Sequence, residues 1–180
     1  MIYTTTYMSP LGELMIASDG EKLTGIWNNN QKYHGQTLFK NLVKKANLPI
    51  FEIVKNWLDR YFNGENPPIS EVPFSDSNAS EFRKEVWKIL CDIPYGEVIT
   101  YGDIAKAVAK KLGKSKMSSQ AVGGAVGHNP ISILVPCHRV VGSNGSLTGY
   151  AGGLKIKIKL LELEGLDMGR FFVPTKGTAL

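Results

Sequence analysis

The sequence predicts an α+β protein in two parts. Residues 1–75 form a small N-terminal domain of a β-meander plus a helix. Residues 76–180 form a mainly helical domain with a helix-turn-helix and a Cys-His segment. Three observations predict this division. The first 30 residues hold three short runs of β-branched and aromatic residues separated by turn signals. From residue 50 onward, apolar residues recur mostly at helical spacing. Between the two, residues 67–78 are rich in Pro, Ser, Asp and Asn, the composition of a linker.

Composition narrows the classes. The 180 residues are 43% apolar and 21% charged, as in ordinary globular proteins. No apolar run has membrane-spanning length, so no membrane association is expected. Met1-Ile2-Tyr3-Thr4 and the residues after it lack the basic and apolar regions of a signal peptide. Two cysteines, Cys91 and Cys137, are too few for a disulfide framework or a four-cysteine zinc site. A cytoplasmic chain with free thiols is therefore expected. The net charge of +5 favours a polyanionic partner. Lysines cluster at 106, 110, 111, 114 and 116, and again at 155, 157 and 159; two solvated faces explain them equally well.

Taken in order, residues 2–7, 13–18 and 22–27 read as strands, with turns at Ser9-Pro10-Leu11-Gly12 and Asp19-Gly20. Asn28, Asn29 and Asn30 close the third, and His34 reads as a surface residue. Phe51, Val54, Leu58, Tyr61 and Phe62 mark an amphipathic helix over 50–62, widened by Trp57 and stopped by Gly64-Glu65-Asn66-Pro67-Pro68. Ser80 caps the next helix, whose face is Phe82, Val86, Ile89 and Leu90, with Trp87 beside it. Cys91, at its end, reads as structural.

Thr100, with Asp103 three residues on, caps a further helix through Ile104, Val108 and Leu112, and Gly113 stops it. Ser118 or Ser119 caps the next. A helix-turn-helix and a bare αα-hairpin both fit this pair. The second member places Ala121, Val122, Ala125 and Val126 on one face and Gln120, Gly123, Gly124 and Gly127 on the other. Each glycine costs a helix about 0.8–1 kcal/mol relative to alanine. A face so bare admits close approach of another helix or of a nucleic-acid groove, unless the run is not helical at all.

The apolar run 131–135 leads into Pro136-Cys137-His138-Arg139-Val140 and reads as strand-like. An imidazole and a guanidinium beside a thiol are expected to lower its pKa, the layout of an activated nucleophile. A buried structural cysteine beside a satisfied histidine is the other reading, because neighbours on a strand face opposite ways. Residues 143–146 form a turn and Gly152-Gly153 a break. Over 154–165, Leu154, Ile156, Ile158 and Leu160 alternate as in a strand, whereas Leu160, Leu161, Leu163 and Gly165 fit the end of a helix.

In order and spacing, these residues resemble the methylated-DNA–protein-cysteine methyltransferases, repair proteins that act on O6-alkylguanine. The likeness is carried by Pro136-Cys137-His138-Arg139-Val140, Ala121-Val122-Gly123-Gly124-Ala125, Asn129-Pro130, Tyr150 with Gly152-Gly153, and Glu164-Gly165. Residues 87–101, ending Gly96-Glu97-Val98-Ile99-Thr100-Tyr101, are similar too, so the resemblance spans roughly 79–167. The N-terminal part carries no motif but is compatible with the small α+β domain of that family.

The resemblance implies that Cys137 takes the alkyl group irreversibly, one molecule acting once. His138 then removes the thiol proton through a water, Glu164 orients that histidine, and Asn129 braces the turn. Tyr101 offers its hydroxyl to the leaving guanine. Pro136, Val140, Ser143 and Tyr150 line the base pocket. The second helix of the helix-turn-helix enters the minor groove, with Arg83, Thr100, Gln120, Ala121, Gly123 and Gly124 at the DNA, and the damaged base leaves the stack. The implied partner is double-stranded DNA carrying O6-alkylguanine, with O4-alkylthymine as a further lesion; the implied protein is a monomer without cofactor or metal. The resemblance also requires 154–164 to be a helix that carries Glu164 back to His138. One departure is Gln120, where well-known members carry an arginine that fills the gap left by the flipped base. Another is the connection 113–117, longer than in compact members. Two other classes compete: a damage-binding protein without transfer, which would lack Cys137, and a thiol hydrolase, which would leave the glycine face unexplained.

Overall fold

The computed structural model describes residues 1–28, 31, 42–76 and 79–175. The chain divides into two compact units, Met1–Asn78 with Pro130–Leu134, and Ala79–Asn129 with Val135–Leu180.

The first unit is a sheet with one long helix. β1 (Ile2–Ser9), β2 (Gly12–Ser18) and β3 (Leu23–Asn28) form the expected antiparallel meander. β4 (Leu42–Lys44) adds a parallel edge beside β1, giving the order β3-β2-β1-β4. Its three residues are all exposed, so no apolar alternation marks it in the sequence. His34, Asn29 and Asn30 lie outside the described residues. Helix α1 (Pro49–Phe62) starts on a proline, whose missing N–H costs nothing in the first turn. It buries Phe51, Val54, Trp57, Leu58 and Tyr61.

The proline-rich stretch does not behave as a free linker. Trp57 Nε1 donates to the Pro68 carbonyl at 3.0 Å. Leu23 N donates to Pro73 O, and Ser75 N to Leu23 O, both at 2.9 Å. Prolines favour extended backbone, and the edge of β3 has groups to pair. The same strand holds Pro130–Leu134: Ile26 N donates to Pro130 O at 2.9 Å and Ser132 N to Ile26 O at 3.1 Å.

The second unit is helical. α2 (Glu81–Cys91) is capped by Ser80, whose hydroxyl accepts from Arg83 N. β5 (Ile99–Thr100) leads into α3 (Tyr101–Lys111), where the Thr100 hydroxyl accepts from Asp103 N. α4 (Ser119–Gly127) is capped by Ser118. Its buried side is Val122, Ala125 and Val126, while Ala121 is exposed. Trp87 Nε1 donates to Ala125 O at 2.9 Å, tying α2 to α4. β6 (Val140–Val141) pairs in parallel with β5, Ile99 with Val140 and Thr100 with Val141. α5 (Leu154–Leu163) closes the unit, packing Leu161 with Val141 and Leu147.

Two strand expectations are corrected. Residues 131–135 are not a regular strand: Ile133 has φ 73°, a left-handed conformation unusual for a β-branched residue. Leu134 N donates to Ser132 O at 2.9 Å and Cys137 N to Val135 O at 2.8 Å, so the backbone curls in tight turns. Cys137–Arg139 is a turn of 3₁₀ helix, and the strand begins only at Val140.

Candidate active site

The site contacts described below join residues of the second unit. The Asn129 amide follows α4 and points at the turn ahead of it. Its Nδ2 donates to Val135 O at 2.8 Å and reaches Cys137 Sγ at 3.2 Å. One side chain thus fixes both the backbone before the thiol and the thiol itself. Cys137 is 5% exposed and His138 fully buried.

On the 3₁₀ turn the two neighbours need not face opposite ways as they would on a strand. His138 Nε2 meets Glu164 Oε1 at 2.7 Å. Glu164 sits at the C-terminal end of α5, so the helix reading of 154–164 holds and delivers the carboxylate. Arg139 grips the same carboxylate with two bonds, Nε to Oε2 at 2.8 Å and Nη2 to Oε1 at 3.0 Å. Its Nη1 donates to Ile93 O at 2.6 Å, and Gly96 N donates to Glu164 Oε2 at 3.3 Å.

The charges follow from this wiring. Burial alone would raise the Glu164 pKa, but the hydrogen bonds and charges of His138 and Arg139 win and bring it down to about 2. Burial lowers the His138 pKa despite Glu164, with Arg139 and Lys157 adding to the fall, so the imidazole rests neutral. A carboxylate only accepts, so Nε2 carries the ring proton and Nδ1 the lone pair. The expectation of a lowered thiol pKa is corrected. Burial pushes the Cys137 thiol up, against the Asn129 bond and the charge of Lys157, so the resting residue is a thiol.

Tyr101 stands at the start of α3, where the β5–β6 pairing sets it beside the strand that follows the thiol. Its hydroxyl donates to Thr148 O at 3.1 Å. Burial and the nearby Cys137 sulfur push it up to about 12, so it remains a donor. Gly149 has φ 68°, and a Cβ there would lie 3.1 Å from the Tyr101 hydroxyl. Any larger residue would meet both a backbone penalty and the Tyr101 hydroxyl.

Of the other expected positions, Pro136, Val140 and Tyr150 are buried around the turn, whereas Ser143 is exposed on the turn after β6. Gln120, Ala121 and Gly124 form an exposed patch on α4. A Cβ at Gly123 would sit 3.9 Å from the Tyr101 ring, and one at Gly124 would meet nothing within 4 Å. The bare face is therefore not filled by another helix of the described residues. Thr100 and Arg83 are half-buried at the starts of α3 and α2, and among the described residues no side-chain bond joins Arg83 to the thiol cluster.

Lys157 departs from the solvated face that its lysine cluster suggests: it is fully buried on α5. Its ammonium donates to Val140 O at 2.5 Å and to Thr148 O at 3.0 Å. Burial brings it down to about 8, with the Cys137 sulfur opposing the fall. A lysine in an alternating Lys/apolar run carries no sequence signal for this.

Comparison with known proteins settles the family. Residues 2–75 match the family description "6-O-methylguanine DNA methyltransferase, ribonuclease-like domain", and 81–166 match "6-O-methylguanine DNA methyltransferase, DNA binding domain". The chain belongs to the methylated-DNA–protein-cysteine methyltransferases. The Haemophilus influenzae methyltransferase is 41% identical over 163 residues, covering 91% of this chain and 86% of its own. That of Methanosarcina acetivorans is 42% identical over 172 residues, covering 91% and 99%. Among solved structures, Mycobacterium tuberculosis OGT in complex with DNA superposes with TM-score 0.77 at 38% identity, covering 96% of each chain. The mixed α+β architecture of the methyltransferases is thus shared along nearly the whole length.

Proposed function

We propose that the protein repairs O6-alkylguanine in duplex DNA by moving the alkyl group to Cys137. The observation that supports this best is the buried sulfur held by Asn129 beside the His138–Glu164–Arg139 chain. His138 Nδ1 takes the thiol proton, through a water, as the sulfur attacks the alkyl carbon. The carbon–O6 bond breaks with its electron pair going to the guanine, and Tyr101 supplies a hydroxyl hydrogen bond to the charge that develops. The neutral imidazole can accept that proton because burial keeps it neutral, and the ionised Glu164 stabilises the imidazolium formed. The thioether has no route back, so each molecule turns over once.

In this reading α3 and α4 act as a helix-turn-helix. Gln120, Ala121, Gly123 and Gly124 meet the minor groove, Thr100 and Arg83 approach the flanking backbone, and Pro136, Val140, Ser143 and Tyr150 surround the extruded base. A damaged pair is less costly to open than a sound one. No helix among the described residues is long and apolar enough to cross a membrane. Both cysteines are free, which suits the reducing cytoplasm where we place the activity.

The test is intact-protein mass spectrometry after mixing with duplex DNA carrying O6-methylguanine. One methyl mass on Cys137, absent in Cys137→Ser, is expected. A complex without added mass would indicate damage binding, and an unchanged protein with released alcohol would indicate hydrolysis.

A further inference from the structure

Helix α3 ends in a turn with a definite geometry. Gly113 N donates to Lys110 O at 3.3 Å and Lys114 N to Ala109 O at 2.9 Å, with Gly113 at φ 64°. This paired closure reverses the chain and lays residues 114–117 back along the helix. The result is an open cleft of about 400 Å³ between α3 and the connection to α4. Gly102, Ala105 and Ala109, at helical spacing on α3, give it a shallow apolar floor. Its rims carry Lys106 and Lys110 on the helix and Lys114 and Lys116 on the connection.

These cations are not spent within the chain. Lys110, Lys114 and Lys116 are exposed, and no ion pair holds them among the described residues. Lys106 pairs with Asp103 at 3.1 Å while its side chain stays 82% exposed. Lys111 lies outside the cleft and lies 3.8 Å from Glu85. Ser119, the first residue of α4, also lines the cleft, which therefore runs into the exposed Gln120 patch.

We propose that this cleft is a second DNA contact, taking the sugar–phosphate backbone next to the groove that α4 enters. Small apolar side chains suit the deoxyribose and lysines on both rims suit the phosphates, a combination that carries affinity without sequence preference. The proposal rests on the duplex-repair reading above.

The experiment uses the full chain and a fluorescent undamaged duplex, with affinity measured across a range of salt concentrations. Each phosphate contact contributes about 0.9 to the slope of log affinity against log salt. Replacing Lys110, Lys114 and Lys116 together with glutamine should weaken binding and flatten the slope by about 2–3. Transfer from free O6-benzylguanine should be unchanged. The control Lys155→Gln with Lys159→Gln removes two exposed charges on α5 and should leave the slope nearly as it was. An unaltered slope in the triple variant overturns the cleft proposal, as does an equal loss in the control. Calorimetry with inorganic phosphate alone separates a small-anion site: binding that the triple variant abolishes without any change in the DNA slope also overturns it. A wild-type chain that acquires no alkyl mass would instead overturn the repair reading.

Discussion

Glu164 holds three partners at once, and its removal separates chemistry from packing. Glu164→Gln leaves Arg139 buried with its charge uncompensated, and breaking such a pair costs about 3–5 kcal/mol. The melting temperature should fall, and alkyl transfer from the free base should slow by at least about 10²-fold because the imidazolium loses its counter-charge. The slower transfer is to be measured well below the melting temperature, where the variant is folded. Cys91 is half-buried, and burial pushes its thiol up to about 11. Cys91→Ala should therefore still take up one alkyl group per molecule by mass; complete loss of uptake in a folded variant would mean that the wrong thiol has been assigned. Residue identity alone did not reveal Lys157 or the two-handed grip of Arg139. Burial of a charged side chain depends on what the fold places around it, and a sequence records only the side chain.

At the scale of elements, the meander and α1 are legible from apolar spacing and turn signals, and α2 and α3 from spacing and caps that agree, whereas the glycines of α4 leave its helicity open in the sequence. α5 was ambiguous for a definite reason. Its buried residues are Lys157, Leu160 and Leu161, with Leu154 and Ile158 half-buried beside them, so a lysine takes one slot of the inward helical stripe. That lysine hid the helical period and left the alternation on view. The approach to the Cys137 turn looks strand-like in sequence because a buried irregular segment is as apolar as a buried strand. Helix α4 offers the sharpest test at this scale. Gly124→Ala adds a Cβ into open space and should stabilise the protein by about 0.8–1 kcal/mol in denaturant titration. The same change should slow repair of duplex DNA and spare the free base. Gln120→Arg should speed duplex repair, since a cation gains from the negative minor-groove potential, and Gln120→Gly should slow it. Equal responses with free base would assign Gln120 to the geometry of the thiol instead of to base extrusion.

For the whole molecule, acid should be more damaging than the net charge suggests. Glu164 ionises at about 2 when folded, below its ordinary value, so its contribution is present above about pH 4.5 and lost as pH falls towards 2. A shift of that size is worth about 3 kcal/mol. His138, held neutral by burial, acts in the same direction at higher pH, because the unfolded chain gains a proton there as pH drops below about 6.5. Stability measured against pH should thus fall in two stages on acidification, and Glu164→Gln should remove the lower one. Dissection of the chain is a second test. A fragment beginning at Ala79 lacks β3, so Ile131 loses its bridge to Ile26, and Pro130 and Ser132 lose their Ile26 hydrogen-bond partners. It should melt well below the full chain and transfer alkyl groups more slowly, by thermal denaturation and mass uptake respectively.

The five residues Pro130–Leu134 leave one unit, are held by the other, and return two positions before Cys137 begins its turn. The segment leading towards Cys137 therefore pairs with a strand far earlier in the sequence. Such long-range pairing is expected to close late in folding, because loop entropy is lost before the contact is gained. Protection of the Ile26 and Ser132 amides should accordingly appear late in pulsed hydrogen exchange during refolding.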